Sequence, residues 1–271
     1  MLDSKKLTYG KGKMINRPEE SEDYLWELWE RALKKGNLSL RETLIKENID
    51  YLNWSREEVL SCWGEKGTEK LKEKWLKDNP STEEEVEAHY NNLDLYIPEL
   101  SSWHAIEKNS TLLKIVEFMD LCREKNCKKF LDYGSGIGSA GILFNYYGFS
   151  TTLADISDAM LNYSKWRFKE HRRKSVFVDL KKESLVDNNY DCAISIEVLE
   201  HVSDPVKIMK NIYKSLKSGG YLFVTTPFFE DEERPQHLIH DPSIIKEFNK
   251  IGLKALSIGN EDIYRLYRKD Y

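Results

Sequence analysis

A short glycine-rich stretch is the part of the sequence best suited to hold a ligand. It follows Asp132, lies between a predicted strand and a predicted helix, and contains three alternating glycines: Gly134, Gly136 and Gly138. Glycines allow the backbone to turn sharply and to approach a ligand closely, and the first turn of a helix offers unpaired N–H groups. The next predicted strand ends at Asp155, where a carboxylate can accept both hydroxyl groups of a ribose. The pattern therefore predicts a loop that binds a nucleoside.

A second group of reactive side chains follows the fourth and fifth predicted strands. Glu197, Glu200 and His201 come after the fourth strand, and His237 and His240 follow the fifth. Ligands bind at the carboxyl ends of the strands in open α/β sheets. His201 is a candidate general base, with Glu197 beside it as a second candidate catalytic residue. If the first three side chains share one face of a helical turn, they and the later histidines form a candidate site for Mg²⁺, Mn²⁺, Fe²⁺ or Zn²⁺.

Seven short apolar runs alternate with helix-length amphipathic segments from residue 105 onward. The runs are residues 129–132, 150–154, 175–178, 192–196, 221–226, 254–258 and 263–267. This alternation predicts βαβ units and a mostly parallel sheet covered on both faces. Only a short turn around Gly259 and Asn260 separates the last two runs, so these strands should be antiparallel neighbours. We therefore expect an α/β fold with a seven-stranded, mostly parallel sheet and an antiparallel terminal hairpin.

The first hundred residues differ in composition from the rest of the chain. Residues 1–104 carry 16 basic and 22 acidic side chains and six of the seven tryptophans, whereas residues 105–271 carry 25 basic and 24 acidic side chains. A serine followed three residues later by glutamate, at Ser39, Ser55 and Ser81, predicts helix starts. We predict an N-terminal helical lid domain over residues 1–104 and a ligand-binding domain over residues 105–271.

Charge and composition disfavour several classes of protein. The formal net charge of −5 argues against a general nucleic-acid binder, and the basic run at residues 165–174 is expected to be the exposed face of a helix. No apolar run is long enough to span a bilayer and the N-terminus lacks the apolar centre of a signal peptide, so we expect a cytoplasmic protein with no membrane partner. The four cysteines contain no CxxC pair, which predicts free thiols and no thiolate zinc site.

The order of these motifs resembles that of the class I S-adenosylmethionine-dependent methyltransferases, and most closely the ubiquinone-biosynthesis O-methyltransferase type. The motifs that carry the resemblance are Asp-x-Gly-x-Gly-x-Gly (132–138), Asp155, Asp179, Glu-Val-Leu-Glu-His (197–201) and Leu-Lys-Ser-Gly-Gly (216–220). A carboxylate beside the loop would repel a pyrophosphate, so Asp132 suits a cationic nucleoside better than a dinucleotide. The resemblance implies a Rossmann-like fold with S-adenosylmethionine as cofactor.

The resemblance also implies roles for individual residues. Asp132 and the three glycines would hold the amino-acid part of the cofactor, and Asp155 would hold its ribose. Ile156 would pack on the adenine, and Asp179 together with the Leu180 backbone would read the adenine edge.

Two further expectations concern the pocket wall and a metal. Tyr96, Trp103 and His104 end the N-terminal region and are candidates for closing the pocket over the cofactor. The Glu-x-x-Glu-His stretch also resembles the metal-binding segment of small-RNA 2′-O-methyltransferases, which implies a divalent ion there. The alternative without metal has Glu197 bordering the cofactor, His201 as base or structural residue, and the later histidines as ordinary hydrogen-bonding residues.

These observations predict an enzyme that methylates an oxygen or nitrogen of a small-molecule acceptor. The aromatic N-terminal region favours a flat or partly apolar acceptor. Three alternatives remain open: an enzyme that uses the same cofactor but forms methylthioadenosine, an RNA 2′-O-methyltransferase, and a non-catalytic module that only binds the cofactor.

Overall fold

Seven strands form one sheet in the computed structural model, which describes residues 21–91, 94–241, 243–258 and 263–270. Their bounds are β1 (Lys129–Tyr133), β2 (Ser150–Asp155), β3 (Val176–Asp179), β4 (Tyr190–Ser195), β5 (Leu216–Thr225), β6 (Leu253–Ile258) and β7 (Tyr264–Lys269). The strands lie in the order β3-β2-β1-β4-β5-β7-β6, and β1 to β5 are parallel. β7 runs antiparallel to β5 and β6. The predicted mostly parallel sheet with an antiparallel terminal hairpin is confirmed.

Helices precede the sheet and connect most of its strands. Their bounds are α1 (Glu22–Leu33), α2 (Leu40–Leu52), α3 (Arg56–Leu60), α4 (Glu65–Asp78), α5 (Glu83–Asn91), α6 (Tyr96–His104), α7 (Ser110–Glu124), α8 (Ser139–Tyr146), α9 (Asp158–Glu170), α10 (Pro205–Ser215) and α11 (Ile244–Lys250). A 3₁₀ turn, Leu199–His201, follows β4. Within the described ranges, no helix is both long and apolar enough to cross a membrane.

Local capping signals explain where the early helices begin. The hydroxyl groups of Ser39 and Ser55 each accept a hydrogen bond from the backbone N–H three residues later, at 3.2 Å, as predicted. The third predicted helix start, at Ser81, is wrong by one residue, because Thr82 caps α5 instead. There, the hydroxyl of Thr82 accepts from the N–H of Glu85, whose carboxylate accepts from the N–H of Thr82. Neighbouring hydroxyl and carboxylate side chains offer the same spacing twice, so the sequence could not fix this register.

The first helix shares an apolar core with the sheet. Trp29 of α1 is fully buried, together with Phe118 of α7 and Phe144 of α8. The ring of Phe144 stacks on Phe130 of β1 with their centroids 3.6 Å apart. Burial of such large apolar side chains is the dominant favourable contribution to folding. α1 therefore shares its apolar core with elements that follow residue 104. The domain boundary at residue 104 stays a prediction.

One basic side chain of α9 is buried, contrary to the prediction for residues 165–174. Arg167 is 0% exposed; its Nε donates to Oε2 of Glu47 on α2 at 2.9 Å, and its Nη1 donates to the carbonyl oxygen of Ile137 at 2.7 Å. Nε2 of His171 lies 2.7 Å from the other oxygen of Glu47. Burying a charge is tolerated where an opposite charge and hydrogen bonds replace water. The exposed-face prediction is wrong at Arg167, because a distant helix supplies the carboxylate.

Candidate active site

The glycine loop (residues 134–138) is held in shape by the strand beside it. The N–H of Gly134 donates to the carbonyl oxygen of Ala154 at 2.8 Å, and the N–H of Gly136 donates to Oδ2 of Asp155 at 2.9 Å. Gly134, Gly136 and Gly138 have φ values of +72°, +49° and +75°, in the region that side chains other than glycine rarely adopt. The alternating glycines therefore serve the sharp turn that the sequence predicts.

Two buried carboxylates lie at the ends of β1 and β2 on either side of this loop. Asp155 accepts from the N–H of Ser157 at 2.9 Å as well as from Gly136. Oδ2 of Asp132 accepts from the N–H of Gly141 at 3.2 Å. Burial raises the pKa of Asp155 and raises that of Asp132 to about 7. A cationic ligand beside them would lower both pKa values and stabilise the charged carboxylates.

Most of the predicted cofactor-binding residues border one cavity of about 440 Å³. Those in its lining are Asp132, Gly134, Gly136, Asp155, Ile156, Leu180, Tyr96 and Trp103. Gly138 and Asp179 do not line the cavity. Asp179 instead pairs with Nζ of Lys182 at 2.6 Å, and the Leu180 N–H donates to the carbonyl oxygen of Asp155 at 3.0 Å. The contact of Asp179 and the Leu180 backbone with adenine stays a prediction.

Three of the five predicted metal ligands come together, and we call them the Glu-His-His group (Glu200, His201 and His237). Their ligand atoms all lie within 4.8 Å of one another. Glu197 and His240 lie outside this group. Glu197 lines the cavity, whereas His240 does not. Glu197 precedes the 3₁₀ turn with a left-handed φ of +53°, so the helical face expected for residues 197–201 does not form.

The charges of the Glu-His-His group are set by burial. Neither ring nitrogen of His237 has a hydrogen-bond partner among the described residues, and the buried Glu200 carboxyl has only the side chain of Glu197 as a partner. Burial and the nearby charge of Glu197 raise the pKa of Glu200 well above its usual range. Burial, with repulsion from His237 and Arg234, lowers the pKa of His201 to about 3. Both histidines are therefore neutral near pH 7, the state in which imidazole binds metal ions.

The N-terminal helices supply the remaining wall of the cavity, including residues that the sequence analysis missed. The hydroxyl of Tyr90 lies 2.9 Å from Nδ1 of His201, and the rings of Tyr90 and Tyr96 lie 5.5 Å apart. Glu99 is buried with Nη2 of Arg234 4.0 Å from its carboxylate, and burial raises its pKa. Tyr90 of α5 and Glu99 of α6 contact residues that lie more than 100 positions later in the chain, so no local sequence signal identifies them.

Residues 104–253 match the family described as "Methyltransferase domain", and this match covers more than half of the chain. The chain belongs to the class I S-adenosylmethionine-dependent methyltransferases. The match supports the prediction of an enzyme over the alternative of a non-catalytic module.

Curated relatives of this methyltransferase include two enzymes with different names. It is 32% identical over 102 residues to a ubiquinone biosynthesis O-methyltransferase of Idiomarina loihiensis, covering 36% of this chain and 42% of that protein. It is 32% identical over 137 residues to a tRNA U34 carboxymethyltransferase of Campylobacter hominis, covering 49% of this chain and 45% of that protein. The matches thus span less than half the length of these relatives. Among solved structures, the PH0226 protein of Pyrococcus horikoshii aligns with 18% identity and a TM-score of 0.48, over 60% of this chain and 92% of that one.

A substitution at Gly134 tests whether the shape of the glycine loop is required for binding S-adenosylmethionine. A Cβ at this position would lie 2.3 Å from Cγ2 of Val198, at a φ of +72°. Overpacking of this kind costs about 1–3 kcal/mol, so Gly134→Ala should weaken S-adenosylmethionine binding about tenfold or more by calorimetry. Gly148→Ala is the matched control, because Gly148 has a φ of +95° and no atom within 4 Å of its Cβ position. Equal affinities of the two variants would contradict the prediction.

Proposed function

We propose that this methyltransferase transfers the methyl group of S-adenosylmethionine to a hydroxyl oxygen of a small aromatic acceptor, assisted by a divalent cation held by the Glu-His-His group. The observation that supports this most strongly is that His201 and His237 of the group line the same cavity as the glycine loop, while the ligand atoms of the buried Glu200 lie within 4.8 Å of theirs. The wall that faces them is aromatic, with Tyr90, Tyr96 and Trp103. Flat, partly apolar acceptors bind well in such walls.

The residues present fit S-adenosylmethionine. When bound, this cofactor supplies an electrophilic methyl group on a sulfonium centre. Asp155 is buried at the end of β2, where its Oδ2 accepts from Gly136 of the glycine loop and its Oδ1 accepts from Ser157; from this position it would hold the ribose hydroxyls. Asp132 would face the cofactor's ammonium group, and Ile156, which is 37% exposed, offers an apolar surface for the adenine.

The residues present also fit a divalent cation. The imidazole of His237 has two ring nitrogens without a partner among the described residues, which normally costs free energy, and the buried Glu200 carboxyl has only the side chain of Glu197 as a hydrogen-bond partner there. Mixed oxygen and nitrogen ligands suit Mg²⁺, Mn²⁺, Fe²⁺ or Zn²⁺. A cation at this place would supply Lewis acidity that lowers the pKa of an acceptor hydroxyl. The low pKa of His201 makes it a better neutral ligand than proton acceptor.

The chain's own residues orient the reaction. The hydroxyl of Tyr90 lies 2.9 Å from Nδ1 of His201 and Oε1 of Glu200 lies 4.0 Å from its Nε2, so both side chains help to fix the imidazole ring. The acceptor hydroxyl loses its proton to water, and its oxygen forms a bond to the methyl carbon. The carbon–sulfur bond breaks with its electron pair staying on sulfur, which leaves S-adenosylhomocysteine. Most of the rate enhancement then comes from holding the oxygen and the methyl group in line.

An RNA acceptor finds less support than a small molecule. The similarity to a tRNA-modifying enzyme favours RNA, but it covers less than half of either chain. The basic run of α9 loses Arg167 to the buried pair with Glu47, and the chain is acidic overall. Binding that weakens steeply as salt is raised would favour the RNA alternative.

The decisive experiment identifies the nucleoside product. The protein is incubated with S-adenosylmethionine and a panel of phenols, catechols and amines, with and without EDTA, and the products are identified by mass spectrometry. We expect S-adenosylhomocysteine only when a hydroxylated acceptor is present, and its loss with EDTA. Methylthioadenosine, or turnover unaffected by EDTA, would contradict the proposal; the latter would favour His201 as base without metal. Turnover of amines alone would place the methyl group on nitrogen.

The Glu200→Gln variant distinguishes a reaction assisted by a cation from one in which His201 acts as the base without a metal. The amide cannot supply a charged ligand but keeps the size of the side chain, so we expect kcat/KM to fall about 10- to 100-fold, with partial recovery at raised metal concentration. Glu183→Gln, an exposed position after β3, is the matched control and should be unchanged. An unchanged Glu200→Gln variant would rule out the cation.

A further inference from the structure

Three cysteines meet at the end of the sheet opposite the active site. Cys122 lies in the last turn of α7, Cys127 lies just before β1, and Cys192 lies in the first half of β4. Their sulfur atoms lie within 4.8 Å of one another, and all three side chains are buried and not joined in disulfides. The sequence predicted free thiols and no thiolate zinc site, because the cysteine spacing contains no CxxC pair. The fold brings them together.

The backbone around these cysteines is held firmly. The N–H of Cys127 donates to the carbonyl oxygen of Cys122 at 2.9 Å, and Cys192 lies beside Phe130 in the β1–β4 ladder. The Asp191 carboxylate accepts from the N–H groups of residues 128 and 129 at 2.8 and 2.9 Å. The three sulfur atoms therefore converge from positions that the sheet fixes, and a ligand would meet a largely preformed set of donors.

We propose that Cys122, Cys127 and Cys192 bind one soft monovalent cation, Cu⁺, through their three sulfur atoms. Metal–sulfur bonds of about 2.3 Å place three sulfur atoms around a shared ion about 4 Å apart, which is within the 4.8 Å limit that the three sulfurs satisfy. In the part of the chain that the structure describes, no carboxylate or imidazole joins the three sulfurs. Structural zinc sites use four protein ligands, so a set of three sulfur ligands favours Cu⁺ among the ions that soft sulfur donors bind.

An ion can reach the cluster from the surface. Cys127 is 8% exposed and borders a surface cleft of about 460 Å³, which also contains Asp120, Glu124 and Arg123. Arg123 is paired with Asp120 at 3.0 Å, so its charge is partly compensated. Three buried thiols cannot all ionise without counter-charges. One Cu⁺ balances the charge of one thiolate, so two of the three sulfurs would keep their protons.

A copper titration tests this site without reference to methyl transfer. The reduced protein is titrated under anaerobic conditions with Cu⁺ as its acetonitrile complex, and the ultraviolet thiolate-to-copper absorption is followed. Competition with the chelator bathocuproine disulfonate gives the affinity. We expect one equivalent of Cu⁺ per chain and an affinity at least about 100-fold lower in Cys127→Ser. Cys62→Ser is the matched control, because Cys62 is equally buried but lies in the N-terminal region, and it should bind like the wild type.

Alkylation of the wild-type protein provides a second measurement in case Cys127→Ser does not fold. Cu⁺ should slow the labelling of Cys127 by iodoacetamide at least about tenfold and leave that of Cys62 unchanged. Absence of saturable binding, equal binding by Cys62→Ser and Cys127→Ser, or equal protection of Cys62 and Cys127 would overturn the proposal. So would a disulfide between two of the three cysteines after mild oxidation in a protein that does not bind Cu⁺.

Discussion

Glu47→Gln should lower the free energy of unfolding by about 3–5 kcal/mol. The substitution keeps the size of the side chain but leaves the fully buried Arg167 guanidinium without its counter-charge, and His171 without its partner. Breaking a buried ion pair costs far more than breaking an exposed one, because the remaining charge stays out of water. Unfolding in guanidinium chloride, followed by circular dichroism, measures the difference in the free energy of unfolding between the variant and the wild type.

Glu42→Gln is the matched control for this loss. Glu42 lies on the same helix, and both of its oxygens accept hydrogen bonds from Arg56 at 2.8 Å, but the pair is exposed. Exposed pairs contribute at most about 1 kcal/mol. Equal losses in the two variants would show that Glu47 and Arg167 are not the connection between α2 and α9 that the structure indicates.

The same carboxylate predicts a pH dependence. Burial alone would raise the pKa of Glu47, but attraction to Arg167 and the hydrogen bond with His171 outweigh it and lower the pKa to about 2. A group with a lowered pKa in the folded state stabilises the protein above its unfolded pKa and loses that contribution as the pH falls. The stability difference between wild type and Glu47→Gln should therefore be constant from pH 5 to 8 and shrink between about pH 4.5 and pH 2. A constant difference down to pH 2 would contradict this assignment.

Asp155→Asn should weaken S-adenosylmethionine binding at least about 100-fold, because hydrogen bonds to a charged group contribute about 1.5–3 kcal/mol each. The variant would lose the charge that holds the proposed ribose and one acceptor for the N–H groups of Gly136 and Ser157. Calorimetric titration with S-adenosylmethionine and with S-adenosylhomocysteine measures the loss. Both ligands should be affected alike, since both carry the same ribose.

Asp158→Asn provides the control for this measurement. Asp158 lies three residues later, its side chain is 55% exposed, and it pairs with Lys181 at 3.1 Å. We expect its affinity for both nucleosides to stay within about twofold of the wild type. If Asp155→Asn also stays within that range while Tm is unchanged, the carboxylate only supports the loop, and the cofactor is held elsewhere.

Local signals in the sequence were sufficient for the sheet and the glycine loop. The strand before Asp132, the positive φ values demanded by the glycines, and the position of Asp155 at a strand end all depend on neighbours within a few residues. The short turn predicted around Gly259 and Asn260 lies outside the described residues, but the antiparallel pairing of the last two strands that it implied is confirmed. Such features follow from backbone sterics and strand periodicity, which any single sequence displays.

Contacts between distant segments were not predictable in the same way. Arg167 lies in a basic run that suits solvent, and only Glu47 on α2 makes its burial favourable. No sequence pattern around Tyr90 indicates its hydrogen bond with His201, because the two residues meet only after α5 packs beside the turn that follows β4. The three clustered cysteines come from a helix, a loop and a strand. In each case the partner is chosen by tertiary packing, which has no local pattern.

The position of Arg167 limits how the N-terminal helices can be exchanged. Its Nε holds Glu47 of α2, while its Nη1 holds the carbonyl oxygen of Ile137 inside the glycine loop. A chimera that joins this sheet to the N-terminal region of another methyltransferase would leave that guanidinium stranded beneath the cofactor loop. Exchange of α1 to α6 alone would therefore destabilise the protein, unless the new helices carry a carboxylate at the position of Glu47 or Arg167 is substituted at the same time.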